Sequence, residues 1–402
     1  MPLSDVRVID CGQVIAGPLC ATFLGDMGAD VVKVEPPTGE TYRTERRQLN
    51  GEPFSPPFEL YNRNKRALAL NLKHDDGLAA LYDLVEVADI FVQNWPPGVA
   101  KRLGVDYDTL RELNPDLVYV HITGYGETGP MANNPGLDTL VQHLSGFAQL
   151  HGYPDSDRPP IRSQSSLADY FAAYSGALSA MGALRAADRG EGGQLVDVSL
   201  LESLAHNMDA AYEYYNNLGE KPRAGGRNAF FDPDMLYGAA AAADGYICVG
   251  LLLYSDRIWE GLCTLLDRPD LFADERYATD AGRMADAEKL TGLFEEWLST
   301  VPTEKAVETL NAHNIPAARS QTIAEAAAME QYAHRDTFVT IDHERFGELS
   351  LTASPLSLSR DEISIRRPAP RLGEHSRELL AELYDEETVE KLFTDGVIHE
   401  SG

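Results

Sequence analysis

Asp169 opens a run of small and apolar residues, LADYFAAYSGALSAMGALRAA, in which Leu167, Phe171, Tyr174, Leu178 and Met181 recur at helical spacing. Ser165 or Ser166 is placed to cap that helix. In its first turn the free amides and the helix dipole favour an ionised carboxylate. Such a carboxylate is either a nucleophile or a charge that merely complements the dipole. The residue alone leaves both readings open. A second candidate is the stretch from 33 to 73. It holds eight basic residues (Lys33, Arg43, Arg46, Arg47, Arg63, Lys65, Arg66, Lys73) against five glutamates, a local balance of +3 in a chain of net −29. A positive island of this kind suits a phosphorylated cofactor, or is a solvated loop with chance charges.

GYGETG, with Gly124, Gly126 and Gly129, fits G-x-G-x-x-G after a strand-like segment. Pro130 and Ala-Asn-Asn-Pro soon follow, so no helix start is available for a pyrophosphate, and the segment reads as a tight loop near an active site. The ten histidines form no H-E-x-x-H, and no G-x-S-x-G occurs, so metallohydrolase and serine-hydrolase chemistry lack support. Cys11, Cys20, Cys248 and Cys263 show no C-x-x-C pair. They read as small buried residues in a reducing compartment, with no metal site signalled.

The elements that must position these residues alternate. VRVID, PLCATFLGDMG and DVVKVEP form a strand–helix–strand unit; ALALNL, a helix from Asp75 to Val87, DIFVQN, a helix from Val99 to Leu113 and LVYVHITG continue the rhythm. This predicts an α/β fold with a mainly parallel sheet and ligand loops at the carboxyl ends of its strands. The expected organisation is a large domain over 1–218, a turn-rich linker over 219–234, a smaller α+β domain over 235–325, and a return to the large domain over 326–402 ending in an exposed charged helix from Ser376 to Phe393.

The 402 residues carry 63 acidic against 34 basic side chains, which disfavours nucleic-acid and anionic-membrane partners. Eight lysines against 26 arginines in so acidic a chain point to a salt-rich cytoplasm, where screening relieves self-repulsion, with a merely acidic mesophilic protein as the alternative. No apolar run of membrane-spanning length and no signal-peptide pattern is read, so the expected location is cytoplasmic.

Taken together, RVIDCGQVIAGP, GADVVKVEPPTGE, NRNKRALALNLK, QNWPPGVAKRLG, NPDLVYVHITGYGETGP, DTLVQHLSG, GGQLVDVSLLES and PAPRLGEHSRELL resemble the family III CoA-transferases, also called the CaiB/BaiF family, in order and spacing. The resemblance implies a Rossmann-like large domain with a smaller inserted domain, and an interlocked homodimer. It implies CoA thioesters as substrates, with no permanently bound cofactor, and Asp169 as a nucleophile that forms a covalent aspartyl intermediate. By position it assigns the CoA site to Val14, Ala16, Lys73, Asn94, Trp95 and Arg102, with Arg43 and Arg66 as further phosphate candidates. Gly124, Tyr125 and Gly126 would lie over the reacting carbonyl, where backbone amides stabilise an oxyanion, and Gln142 would orient an intermediate. Pro36 stands where some members carry Arg, so one contact of that site is expected to be missing.

A 2-methylacyl-CoA racemase shares this fold, but its Gly-His-Asp triplet reads Gly136-Leu137-Asp138 here, and leucine cannot move a proton. A non-catalytic CoA-binding protein on the same scaffold is a competing function of another class. An NAD-dependent oxidoreductase is a third, and the broken glycine fingerprint counts against it. Tyr212, Tyr214 and Tyr215, with Arg223 and Arg227, either offer groups for a second substrate carboxylate, which would favour a dicarboxylate such as succinate or mesaconate, or are ordinary helix-surface tyrosines beside a flexible Arg-containing linker.

Overall fold

The computed structural model describes residues 1–43, 47–154, 157–229 and 232–400. It divides into two compact units, one of residues 1–145, 163–207 and 330–402, the other of 146–162 and 208–329. Relative to the expected boundaries, the segment 146–162 and the helix Ala211–Leu218 group with the second unit. The expected linker contains strand residues rather than free chain, and its residues 230 and 231 lie outside those described.

The first unit is built on a seven-stranded sheet. Its strands are β1 (Arg7–Asp10), β2 (Asp30–Glu35), β5 (Lys65–Leu70), β6 (Ile90–Gln93), β7 (Val118–Thr123), β8 (Leu195–Ser199) and β15 (Ile398–His399); a separate hairpin of β3 (Gln48–Leu49) and β4 (Glu52–Pro53) lies between β2 and β5 in the chain. The order is β15-β5-β2-β1-β6-β7-β8, parallel except for β15, which pairs antiparallel with β5 at the edge. The near-continuous apolar runs of the central strands follow from burial on both faces. One face is covered by α1 (Ala16–Asp26), α2 (Pro56–Asn62) and a long helix discussed below. Against the other pack α3 (Asp75–Glu86), α4 (Val99–Leu103) and α5 (Tyr107–Leu113).

The expected single helix from Val99 to Leu113 is two, because Gly104 adopts φ 74° and ends the first. The tail helix is likewise split into Ser376–Ala381 and Glu386–Thr394, where the Asp385 carboxylate caps the second by accepting from the Thr388 amide. Nor is the tail simply exposed: Leu379, Leu380, Val389 and Leu392 are buried in the main core.

Short helices α6 (Asp138–Leu144) and α7 (Phe147–Leu150) precede α8 (Leu167–Ala187). Its many Ala and Gly residues let α8 lie close on α1, β7 and β8, and Phe23 of α1 stacks on Tyr174 at 4.4 Å. Because β7 and β8 are parallel neighbours, the chain between them must return to the amino edge, and α8 is the crossover that does so. Its amino end, with Asp169, therefore sits at the carboxyl edge of the sheet.

The second unit has its own core around a four-stranded sheet of β9 (Asn228–Ala229), β10 (Asp232–Ala242), β11 (Gly245–Gly250) and β12 (Ala317–Arg319), packed by helices Asp256–Leu265, Ala287–Leu298 and Thr303–Ala312. The turn at Asp244-Gly245 joins β10 and β11 as an antiparallel hairpin. The strands β13 (Phe338–His343) and β14 (Gly347–Thr352) form a hairpin in the first unit. Of the four cysteines, Cys11, Cys20 and Cys263 are buried as expected, whereas Cys248 is exposed.

The basic island is mostly consumed inside the first unit. Lys65 is fully buried, and its ammonium reaches Asp10 Oδ2 at 2.7 Å, the Pro18 and Tyr61 carbonyls at 2.8 and 2.9 Å, and Asn62 Oδ1 at 3.0 Å. Burial pulls the Lys65 ammonium down to about 8 despite the opposing Asp10 charge. Removing one partner of a buried pair leaves the other uncompensated. Lys65→Met is therefore expected to destabilise the fold by about 3–5 kcal/mol in urea unfolding.

Candidate active site

The β1–α1 turn is the first component of the site. A side chain at Gly12 would meet Asp10 Oδ1 and Pro18 at 2.8 Å, so only glycine fits where Asp10 accepts the Gly12 amide. Two residues on, Val14 adopts φ 66°, a left-handed conformation that is costly for a β-branched residue. Neighbours hold it there. Glu40 Oε2 accepts the Val14 amide at 2.9 Å, while Asn94 accepts the Gln13 amide and donates to the Gln13 carbonyl, both at 2.8 Å. The result is an exposed Val14 beside a buried Ala16 at the start of α1.

Several expected ligands have polar groups engaged within the chain. Asn94 spends its amide on the turn. Arg43 forms a forked pair with Glu35 at 2.6 and 2.7 Å, donates to the Pro370 carbonyl and stacks over Phe58. Arg66 is held by Asp30, Glu378 and Glu382, and Asp30 opens β2, so this guanidinium lies toward the amino edge, away from the ligand loops. Lys33 donates to the Gly12 carbonyl, and Arg63 is paired with Asp26. Arg46 lies outside the described residues. The island's net charge gave no sign of this, because each carboxylate partner comes into reach through strand pairing or helix packing.

Lys73 and Arg102 differ. Both are exposed, both follow strands at the carboxyl edge (β5 and β6), and among the described residues neither has an ion-pair partner. Trp95 is partly buried against the main core. Exposed cations of this kind are free to meet phosphate groups, and Val14 is exposed on the β1–α1 turn while Ala16 is buried.

The loop after β7 is tied down. Gly124 and Gly136 approach so closely that a Cβ on either would lie 2.6 Å from the other's Cα. Tyr125 donates its hydroxyl to the Pro135 carbonyl at 3.2 Å. The Gly126 amide donates to Thr123 Oγ1 at 2.8 Å, so it is not free for an oxyanion.

Asp169 is partly buried in the first turn of α8. Ser166 occupies the cap position without a side-chain bond. Asp138, from α6, does that work by accepting the Ala168 amide on Oδ1 at 2.8 Å. Gln142 is fully buried and donates to Asp138 Oδ2 at 2.7 Å and to the Ser165 carbonyl, while its own oxygen accepts the Ser163 amide. It braces the approach to α8 rather than facing open space. Asp138 is the functional neighbour that sequence reasoning missed; four residues before Gln142 on a helix, it had a visible spacing, but its reach to α8 spans 30 positions. Burial first, and the Asp138 charge second, push the Asp169 carboxyl up to about 7. No described residue hydrogen-bonds it. The ionised form of such a carboxylate is weakly stabilised, which makes it more basic than a solvated one. Among the described residues no His, Cys, Asp and Glu cluster could hold a metal ion, and no helix is long and apolar enough to cross a membrane.

The model of CoA-transferase family III matches residues 3–376. The chain belongs to that family. It is 34% identical over 389 residues to the succinyl-CoA:mesaconate CoA-transferase of Haloarcula marismortui, covering 94% of this chain and 96% of that one. It is 32% identical to the succinate–glutarate CoA-transferase of Agrobacterium fabrum, covering 98% of each. The crystal structure of a CaiB/BaiF family protein from Brucella suis superposes with a TM-score of 0.82 at 30% identity, covering 96% of this chain and all of that one. The enzyme is thus a family III CoA-transferase, with CoA thioester and carboxylate substrates.

Tyr212 and Tyr215 are exposed on the helix Ala211–Leu218 of the second unit, which also carries Tyr214. Arg223 and Arg227 line a cavity of about 1160 Å³ there with His151 and Arg158, and Arg227 is paired with Glu295. The three tyrosines do not line it. For the open edge of the first unit, Lys73→Ala and Arg102→Ala are each expected to weaken CoA binding about tenfold, read by calorimetric titration, with the difference shrinking as salt is added.

Proposed function

We propose that this enzyme moves CoA from a donor such as succinyl-CoA to a small dicarboxylate through a covalent intermediate on Asp169. The observation that carries the reading is the Asp169 carboxylate itself: at a helix start, beside Asp138, without a hydrogen-bond partner among the described residues and with raised basicity. Its oxygen attacks the donor thioester carbonyl, giving a mixed anhydride and CoA thiolate. The thiolate attacks the aspartyl carbonyl and releases the donor acid, leaving an aspartyl–CoA thioester. An acceptor carboxylate attacks that thioester, CoA thiolate leaves again, and its attack on the acceptor acyl carbon delivers the new acyl-CoA and restores Asp169. Thioester is exchanged for thioester, so each barrier is divided without an external energy source. Val14, Ala16, Trp95, Lys73 and Arg102 would hold the CoA. The dicarboxylate is favoured by the substrates named for the similar transferases of Haloarcula, Agrobacterium and mouse.

The experiment mixes succinyl-CoA with mesaconate, glutarate, malate and monocarboxylates and follows new thioesters by mass spectrometry. Asp169→Asn is expected to abolish transfer, by roughly 10⁴-fold or more. Because the nucleophile must be ionised, native turnover should fall as pH drops through about 7. Conversion of no acid by the native protein would sink the reading. Stability gives an independent check. The folded carboxyl holds its proton up to about 7, against 3.8 when unfolded, so this contribution is present below the unfolded value and lost as pH rises through the folded one. Asp169→Asn should therefore melt higher than the native protein above neutrality and alike in acid.

A homodimer in a salt-rich cytoplasm completes the proposal. The helix α8 is apolar on all sides, yet Tyr174 and Leu178 are 41% and 76% exposed, and Leu137, Leu140 and Leu144 are exposed around α6. Faces of this kind call for a partner. The charge of −29 supports a requirement for screening. In molar potassium chloride, sedimentation should give twice the 44.1 kDa chain mass, and the melting temperature should drop as salt is withdrawn.

A further inference from the structure

We propose that Asp138 is a positioning residue of the transfer, holding a fixed negative charge beside Asp169 that favours the covalently loaded state of the enzyme. The proposal rests on the site reading above. Its basis is the bonding of Asp138, which stands on α6 and is brought by the fold to the start of α8. Its Oδ1 accepts the Ala168 amide at 2.8 Å and its Oδ2 accepts the Gln142 side-chain amide at 2.7 Å. Gln142 is held in turn by the Ser163 amide at 2.8 Å and the Ser165 carbonyl at 3.2 Å, on the segment that leads into α8. Asp138 and Gln142 are both buried. Each oxygen of the Asp138 carboxylate is thus engaged by an N–H donor, and the charge is pinned to the residue immediately before the nucleophile.

A charge fixed there acts on a carboxylate that is itself partly buried. Among the described residues no cation counters it. Tyr61 on α2, whose hydroxyl is bonded to that of Tyr170 at 3.3 Å, is the other ionisable group that faces the Asp169 charge. Two like charges in a poorly solvated site raise the free energy of the ionised carboxylate. Loading removes one of them. Ionised Asp169 and succinyl-CoA give the aspartyl–CoA thioester and free succinate: the donor's thioester bond breaks, a thioester forms at the Asp169 carbonyl carbon, and one Asp169 oxygen leaves in the succinate. The negative charge that stood beside Asp138 departs with it. Protonation and acylation both neutralise Asp169, so a repulsion that favours the first favours the second by the same factor. The paired carboxylates therefore oppose the resting enzyme and not the loaded one.

Asp138→Asn separates this from a merely structural cap, because it keeps an acceptor for the Ala168 amide and removes the charge. Asp138→Ser, neutral and also an acceptor, repeats each measurement without setting a second amide against that of Gln142. Protein is mixed at alkaline pH with succinyl-CoA and succinate in varied ratio, and the loaded fraction is read by intact-protein mass spectrometry. The loading equilibrium is expected to fall about tenfold in Asp138→Asn, which corresponds to about one unit in the basicity of Asp169. The ligand-free protein supplies a second readout. The gain in melting temperature from Asp169→Asn, followed across pH, should be smaller in the Asp138→Asn background and should level off about one pH unit lower than in the native one. Loss of a cap alone lowers the melting temperature with and without Asp169→Asn alike, so it cancels in that comparison. Equal loading equilibria in native protein and the neutral variants, or coincident melting comparisons, would overturn the proposal. Absence of loaded native protein at every ratio would instead refute the site reading, and the melting comparison would still decide whether the Asp138 charge bears on Asp169.

Discussion

The buried contact between Lys65 and Asp10 is the constraint on which the ligand edge depends. One ammonium at the start of β5 ties the adjoining end of α2 to the end of β1 and the first turn of α1, which lie 55 and 47 positions away. The other oxygen of Asp10 then shapes the turn that leads to Val14. Two charges without water are tolerated only when their hydrogen-bonding capacity is nearly filled, and here it is. The strained Val14 persists because this framework, with Glu40 and Asn94, over-determines it.

The same economy runs through the site. Of the charged and amide side chains at the carboxyl edge, most hold backbone in place, and few are left without a partner among the described residues. Arg43, Asn94 and Gln142 fix loops, whereas Lys73 and Arg102 stay exposed. A parallel sheet makes this division natural, since its strands end together and every loop after them must be held by something. Asp169 is the exception. Its burial beside Asp138 costs stability at neutral pH, and the same burial raises the basicity that the proposed attack requires.

Much of this was legible in the residues alone. Strand and helix alternation, the apolar runs of β1, β2, β5, β6 and β7, and the small-residue character of α8 follow from local spacing, because periodicity records which faces are buried. The family resemblance rests on motifs in order along the chain, and so it too is one-dimensional. It singled out Asp169, and the run of small residues after it already implied a tightly packed helix.

What the order of residues did not determine is who pairs with whom. Arg66 and Lys73 look alike on the page, yet one is locked among Asp30, Glu378 and Glu382 while the other is open, because a partner 312 positions away arrives only through packing of the tail helix. The antiparallel β15, the strand β10 within the expected linker and the capping of α8 by Asp138 share that character. Each depends on atoms brought together across long loops, a distance that local propensity and composition do not encode. Sequence thus determined the family, the layers and the candidate nucleophile. Tertiary structure alone decided which charges are spent as scaffold and which remain for chemistry, since desolvation and pairing exist only once the chain has closed.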